Sequence, residues 1–378
     1  MVLPVREFSA EGYRSLQRIH YPMSHLDVFV GANGVGKSNL YRGLELLHAA
    51  AANTLGQALA REGLDLAMWA GPRRDQPRRI KLAASFAEPD RLEAAFRYEV
   101  EVGLPAGGAM APFPKAPDIK TETLTYFGGR RPVQLMDREG PRLMARGEDG
   151  RPVEVDIDIL DSETVLGRLE DPSRYPALDR VRRTLLEWRF YHGLRTDADS
   201  PMRRPCEGVP APTLASDGSN LAAVFATLAH VGQDTFELDR MIERAFPGTT
   251  LVVPPPERAS VFSMTFPEFP HRTFEPAELS DGTMRFLALA GALLAYRLPP
   301  FVALNEPESS LHPDLLEPLA EMIVSAAERT QLWLVTHSER LAQAIEDAGA
   351  GAVRTVTKRN GATVIEGLTS FGSFRDED

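Results

Sequence analysis

Four short segments carry residues whose types and spacing suit work on a nucleotide. Residues 31–38, GANGVGKS, fit the pattern G-x-x-x-x-G-K-[ST]. Glycines in such a loop let successive backbone N–H groups curl around phosphate oxygens, at the positive end of the helix that follows. Lys37 would then reach the β- and γ-phosphates, and the Ser38 hydroxyl would ligate Mg²⁺. Residues 304–313, LNEPESSLHP, come after Phe301, Val302 and Ala303. An apolar strand that ends in a polar residue and an acid delivers both to a sheet edge, which makes Glu306 the candidate general base for an attacking water. Residues 279–285, LSDGTMR, put Ser280 and Gly282 at a helix start, a second anion-binding corner. In QLWLVTHSERL, His337 stands just past a strand, where it could hydrogen-bond a γ-phosphate. Each segment alone has a plainer reading: a chance glycine turn, a strand-ending turn, a helix cap, a surface histidine. Their order and company favour the chemistry.

These residues need a sheet edge and helix starts to hold them. The apolar run 26–30 stops at the glycine turn, and an amphipathic segment, 39–60, follows it. From 79 to about 159 the pattern becomes short alternating runs, 79–86, 96–102 and 121–127, separated by Gly and Pro, which predicts an antiparallel β lobe. Residues 103–117, GLPAGGAMAPFPKAP, read as an exposed flexible loop. A helical middle follows at 176–188, 221–229 and 235–245. After 251 the pattern alternates: helix 283–298, strand 301–304, helix 314–329, strand 332–335, helix 340–346, strand 353–357, which predicts a parallel α/β sheet. The expected division is an N-terminal lobe over 1–80 with the phosphate loop, a β-rich and helical insertion over 80–250, and a C-terminal lobe over 251–378. No repeat or sustained heptad run is present, so a long coiled coil is excluded.

Composition removes other classes. At 378 residues, 43% hydrophobic and 25% charged, the chain has an ordinary globular balance, and its longest apolar stretches, 286–296 and 221–229, fall short of the ~20 residues a membrane helix needs. The N-terminal charges do not suit a signal peptide, and the single cysteine, Cys206, excludes an intramolecular disulfide, so a cytoplasmic location is expected. A net charge of −11 argues against a protein coated in nucleic acid but permits a local basic patch. Residues 71–81 supply one: Arg73, Arg74, Arg78, Arg79 and Lys81 against one acid, either a DNA-backbone contact or a solvated loop. Arg182 with Arg183 and Arg203 with Arg204 are weaker candidates. Trp69, Trp188 and Trp333 lie in or beside apolar runs and read as core.

Lys37, Ser280, Glu306 and His337, in that order, make the chain resemble an ABC-type ATPase head of the SMC/RecF-like branch. More narrowly, the run NEPESSLHP is similar to that of small AAA-family ATPases related to the ATPase domains of OLD-family nucleases. The resemblance implies a P-loop NTPase of α/β class, an ATPase with ATP and Mg²⁺ as ligands, and a homodimer closed by ATP. Gly31, Asn33, Gly34, Gly36, Lys37 and Ser38 match the phosphate loop. Ser280 and Gly282 match the signature that touches the partner's γ-phosphate, Glu306 the catalytic acid and His337 the switch histidine. Ser309 to His312 fall where the family's D-loop crosses the dimer interface. Asn305 stands where the family's Mg²⁺-site Asp is expected, which implies slower turnover or weaker metal binding. Thr283 replaces the usual Gln or Glu of the signature, and Gln76 is a poor match for a Q-loop glutamine. The interval from Lys37 to Ser280, 280 − 37 = 243 residues, is long for a transporter subunit and short for SMC arms. The resemblance therefore implies an ATPase acting on DNA in repair or in defence against foreign DNA, with no membrane partner. The alternative is a slow nucleotide-controlled switch that holds and releases a separate effector. With 378 − 337 = 41 residues after His337, any nuclease is expected to be another polypeptide.

Overall fold

The computed structural model describes residues 3–72, 78–88, 91–147, 150–349 and 351–375. The chain divides into two compact units, one of residues 1–24, 31–188 and 354–378, the other of 25–30 and 189–353. In chain order the elements used below are β1 (Val5–Tyr13), β2 (Leu16–Pro22), β3 (Leu26–Val30), α1 (Lys37–Ala51), and β4 (Arg79–Glu88) with β5 (Arg91–Gly103). Then come β6 (Asp118–Phe127), β7 (Val133–Glu139), β8 (Arg142–Arg146), β9 (Pro152–Glu154), β10 (Arg189–Tyr191) and α2 (Asp281–Leu293). The last are β11 (Phe301–Asn305), α3 (Leu316–Ala327), β12 (Gln331–Thr336), α4 (Glu339–Asp347), β13 (Ala352–Arg359) and β14 (Ala362–Ile365).

The first unit is built on an antiparallel sheet in the order β2-β1-β4-β5-β6-β7-β8-β9. Its strands alternate as a half-buried sheet should: Ile80, Leu82, Ala84 and Phe86 are buried in β4, and Tyr98, Val100 and Val102 in β5. Helix α1 lays Leu40, Leu44 and Leu47 on this core, and Gly43 gives Phe8 of β1 room to approach. The expected single helix over 39–60 is two. Asn53 takes a left-handed conformation (φ 56°) between α1 and a second helix, Leu55–Glu62. Trp188 is buried in this unit as core. The 103–117 stretch contains a short 3₁₀ turn, Gly108–Met110, with Met110 and Phe113 exposed.

The second unit carries four strands in the order β10-β11-β12-β3, each pair parallel. β11 and β12 are buried almost throughout, which is why they read as unbroken apolar runs rather than alternating ones. Trp333 lies fully buried against Phe29, ring centroids 4.2 Å apart. α2 buries every residue from Met284 to Leu293, Arg285 included. It starts two residues earlier than expected because Ser280 caps it. The helix expected over 314–329 is a 3₁₀ turn, Pro313–Leu315, followed by α3. The run 353–357 departs more: it lies in β13, which turns through Asn360 and Gly361, both at positive φ, to pair antiparallel with β14. Among the described residues no helix is long and apolar enough to cross a membrane.

Candidate functional site

The phosphate loop joins β3 to α1. Gly34 (φ 78°) and Gly36 (φ 103°) hold left-handed conformations that a side chain would strain. Gly36 is the cap of α1, with no side-chain acceptor on the helix's first N–H groups and no acid in its first turn. A helix start with no capping side chain and no acid in its first turn suits an anion. Lys37 is buried, and its Nζ donates to the carbonyls of Gly31 (2.6 Å) and Ala32 (3.0 Å). The ammonium is thereby held inside the loop, while Asn33 and Ser38 are exposed beside it.

In the second unit β11 ends at Asn305 and the chain reverses. Glu306 adopts φ 49°, a left-handed conformation that costs an acid about 1–3 kcal/mol and must be held from outside. Three bonds hold it: its N–H donates to Val335 O (2.7 Å), and its carbonyl accepts from Ser309 N (3.1 Å) and Arg285 Nη2 (3.2 Å). His337 Nδ1 stands 3.5 Å from the Glu306 carboxylate. Asn305, Glu306, Arg285, His192, Thr196 and Ser309 line a polar cleft of about 170 Å³.

Two residues of this centre were not singled out from the sequence. Glu308 is buried, and its Oε1 accepts from the Thr336 hydroxyl (2.5 Å), His337 N (3.0 Å) and Ser338 N (3.2 Å), tying the turn after β11 to the segment that carries His337. Arg285, in α2, bonds Leu194 O as well as Glu306 O, so α2 is fastened to the backbone of Glu306. Burial pushes the Arg285 guanidinium below its usual range, with the Glu308 carboxylate opposing that shift. The available signal was Glu308 itself, a second acid two residues after Glu306.

Ser280 accepts from Thr283 N (3.1 Å) and meets the Thr283 hydroxyl at 2.8 Å, so Thr283 takes part in the cap. Gly282 fits closely: a Cβ there would stand 3.1 Å from Ser310 O, so the backbone opposite would have to give by a few tenths of an ångström. Arg203, read as part of a basic pair, is buried instead, donating to Thr196 O, Pro276 O and Leu279 O and pairing with Asp281 (2.7 Å). It braces the turn before α2. Of the basic loop, Arg73 and Arg74, with Gln76, lie outside the described residues. Arg78 is exposed, and Arg79 begins β4 with its Nε 3.6 Å from Glu101.

Mg²⁺ suits these groups on one structural ground. The Asn305 Oδ1 is buried with no hydrogen-bond partner among the described residues, an acceptor awaiting a donor such as a metal-held water. Asn305→Asp should put a charge at that orphaned position. We expect a lower melting temperature without Mg²⁺ and nucleotide, by about 1–3 kcal/mol of stability, and recovery of the difference when both are added. Thermal melts in the presence and absence of Mg-ATP measure this. Equal melting under all conditions would remove Asn305 from the metal site.

Among curated proteins none matches the chain by sequence. Solved structures match it over nearly its whole length. An SmcHead bound to the C-winged helix domain of ScpA aligns at 15% identity, covering 96% of this chain and 97% of that one, with a TM-score of 0.56. A Smc head domain with an extended coiled coil, bound to the C-terminal domain of ScpA from Pyrococcus furiosus, aligns at 14% identity over 96% of both chains, TM-score 0.53. The Smc head domain with a coiled coil and joint from Pyrococcus yayanosii gives 11% identity, 98% of both chains and a TM-score of 0.51. Residues 145–342 match the family described as "AAA domain, putative AbiEii toxin, Type IV TA system". That match takes in 198 of the 378 residues, with Ser280, Glu306 and His337 inside it, so the chain belongs to this AAA-domain family and has the fold of an SMC-like ATPase head.

Proposed function

We propose that this chain binds Mg-ATP in the loop 31–38 and hydrolyses it with Glu306 as general base. The observation that carries the reading is Lys37, buried and tied to its own loop's carbonyls at the uncapped start of α1. That arrangement offers phosphates a fixed positive charge at the positive end of a helix. Lys37 binds the β- and γ-phosphates, and Ser38 and Asn305 are the groups that would hold Mg²⁺ directly and through water. The metal supplies charge neutralisation on the phosphate oxygens. Glu306 accepts the proton of the attacking water, and His337, oriented by the Glu308 bond to its N–H, hydrogen-bonds the γ-phosphate. Steady ATP turnover that vanishes in both Lys37→Ala and Glu306→Gln is the test. A chain that binds ATP yet never turns it over fits the slow-switch reading, which Asn305 favours.

The further steps belong to the same proposal. ATP joins two copies, with Ser280 and Gly282 of one completing the site of the other. The relatives bound to ScpA support a separate effector protein as partner. The family's description, naming a toxin of a type IV system, favours defence over repair, in the cytoplasm. DNA is the proposed target, through Arg73, Arg74, Arg78 and Arg79. Replacing these four with alanine should weaken DNA binding evenly across sequences and flatten its salt dependence by about one unit of log–log slope per lost contact. ATP binding must persist in the same protein. An unchanged salt slope would leave the loop merely solvated.

A further inference from the structure

The phosphate loop is shaped by residues that lie far from it in sequence and carry no part of its motif. One face of the β13–β14 hairpin rests on it. Val356, Lys358 and Thr363 share that face, Lys358 and Thr363 being directly opposed in the ladder. A Cβ on Gly31 would stand 2.4 Å from Val356 O, and one on Gly36 would stand 1.9 Å from Thr363 Oγ1 and 2.4 Å from Ser15 Oγ. Two of the loop's glycines are thus glycines because this hairpin, with the β1–β2 turn, is pressed against them.

A directed relay runs through the contact. Val35 O can only accept, so the Thr363 hydroxyl, buried, spends its proton there (2.9 Å). The 2.6 Å bond between Ser15 Oγ and Thr363 Oγ1 must then be donated by Ser15. Ser15 in turn accepts from Asn39 Nδ2 (2.7 Å), in the first turn of α1, and Thr363 N donates to Ser15 O (2.8 Å). One proton arrangement satisfies all three side chains, and it fixes the carbonyl just before the helix cap relative to the helix itself. Lys358 Nζ adds a longer contact to Gly34 O (3.4 Å).

We propose that Thr363, acting with Ser15 and Asn39, is a positioning residue that presets the phosphate loop for its nucleotide, a reading that rests on the nucleotide site proposed above. A loop already ordered pays little on binding; a loop released from the relay must be ordered by the nucleotide, and affinity falls by that amount. Chemistry on the bound nucleotide, assigned to Glu306 and His337, is untouched. The relay therefore acts on affinity and not on the turnover of the saturated protein.

The test is Mg-ATP titration calorimetry and steady-state hydrolysis on the full chain, with thermal melts alongside. Thr363→Val keeps shape and removes the donor. Its Kd should rise about tenfold, its kcat at saturation should stay near that of the parent, and Thr363→Ser should restore most of the affinity. A merely structural threonine would lower the melting temperature and leave the Kd of folded protein unchanged, which overturns the proposal. So would Thr363→Ser binding as weakly as Thr363→Val. Should Thr363→Val fail to fold, Ser15→Ala decides: it spares the Thr363–Val35 bond, and its Kd should rise by about threefold, an unchanged value being fatal. Wild-type protein that ignores Mg-ATP would sink the nucleotide site itself. Wild-type binding that Lys37→Ala abolishes, beside an unaltered Thr363→Val, would sink only the relay.

Discussion

Lys37→Ala protein is expected to lose nucleotide binding while keeping its fold. The Nζ is a full positive charge held by loop 31–38 itself, and its hydrogen bonds to Gly31 O and Ala32 O aim it into the loop. Charge-assisted bonds to phosphate are worth about 1.5–3 kcal/mol each. Losing two of them lowers affinity by at least ~100-fold. The fold should survive, because Ala32 is exposed and its carbonyl can be satisfied by water once the ammonium is gone. Lys37→Arg should fail nearly as badly, since a planar fork cannot take the place of a compact ammonium between two carbonyls. Titration of Mg-ATP against each variant, with a melting curve as control, is the measurement. ATP affinity unchanged in folded Lys37→Ala would remove the phosphate-loop assignment and every inference built on it.

What the sequence made legible divides by range. The phosphate loop, the cap at Ser280 and the strand before Glu306 are local events, decided by residues within a few positions, and a motif records them. The antiparallel lobe announced itself by alternation, and the buried parallel strands by unbroken apolar runs. The supports of the site are different. Glu308 meets the His337 N–H across 29 positions, Arg285 meets the Glu306 carbonyl across 21, and Thr363 meets Val35 O across 328. No periodicity encodes a contact at such separations, because each depends on which surfaces the fold brings together. Arg203 shows the cost of reading charge without burial: beside Arg204 it looked like surface, yet it is enclosed by three carbonyls and a carboxylate. The strand 353–357 was legible as a strand but not as half of a hairpin. Its pairing rests on an Asn360–Gly361 turn whose positive φ values favour reversal over another helix.

The supports change what the signature helix can do. α2 starts at Ser280, fits Gly282 against Ser310 O, and one turn later sends Arg285 to the carbonyl of Glu306. Anything that presses on the helix start therefore bears on Arg285, one of three groups, with Val335 O and Ser309 N, that bond the main chain of Glu306. Within this unit, the start of α2 and Glu306 are linked through Arg285, and Glu308 extends the linkage to His337. A second copy bringing a nucleotide to Ser280 would act on the acid through Arg285.

Glu306→Gln should separate binding from hydrolysis. Glutamine keeps the length of the side chain and its hydrogen bonding but cannot take the proton of the attacking water. The backbone supports are indifferent to the change, because Val335 O and Arg285 hold the main chain of residue 306 and not its carboxylate. Turnover should fall by about 10²–10⁴-fold with Mg-ATP affinity near that of the parent. If ATP closes two copies around Ser280 and Gly282, the same variant should accumulate the closed form, since only hydrolysis reopens it. Light scattering in saturating Mg-ATP would then show twice the monomer mass for Glu306→Gln, and monomer for Lys37→Ala. A Glu306→Gln protein that still hydrolyses ATP at the parental rate would displace Glu306 from its role. One that is inert, binds ATP and stays monomeric would keep the base and discard the dimer, leaving Ser280 as nothing more than the cap of α2.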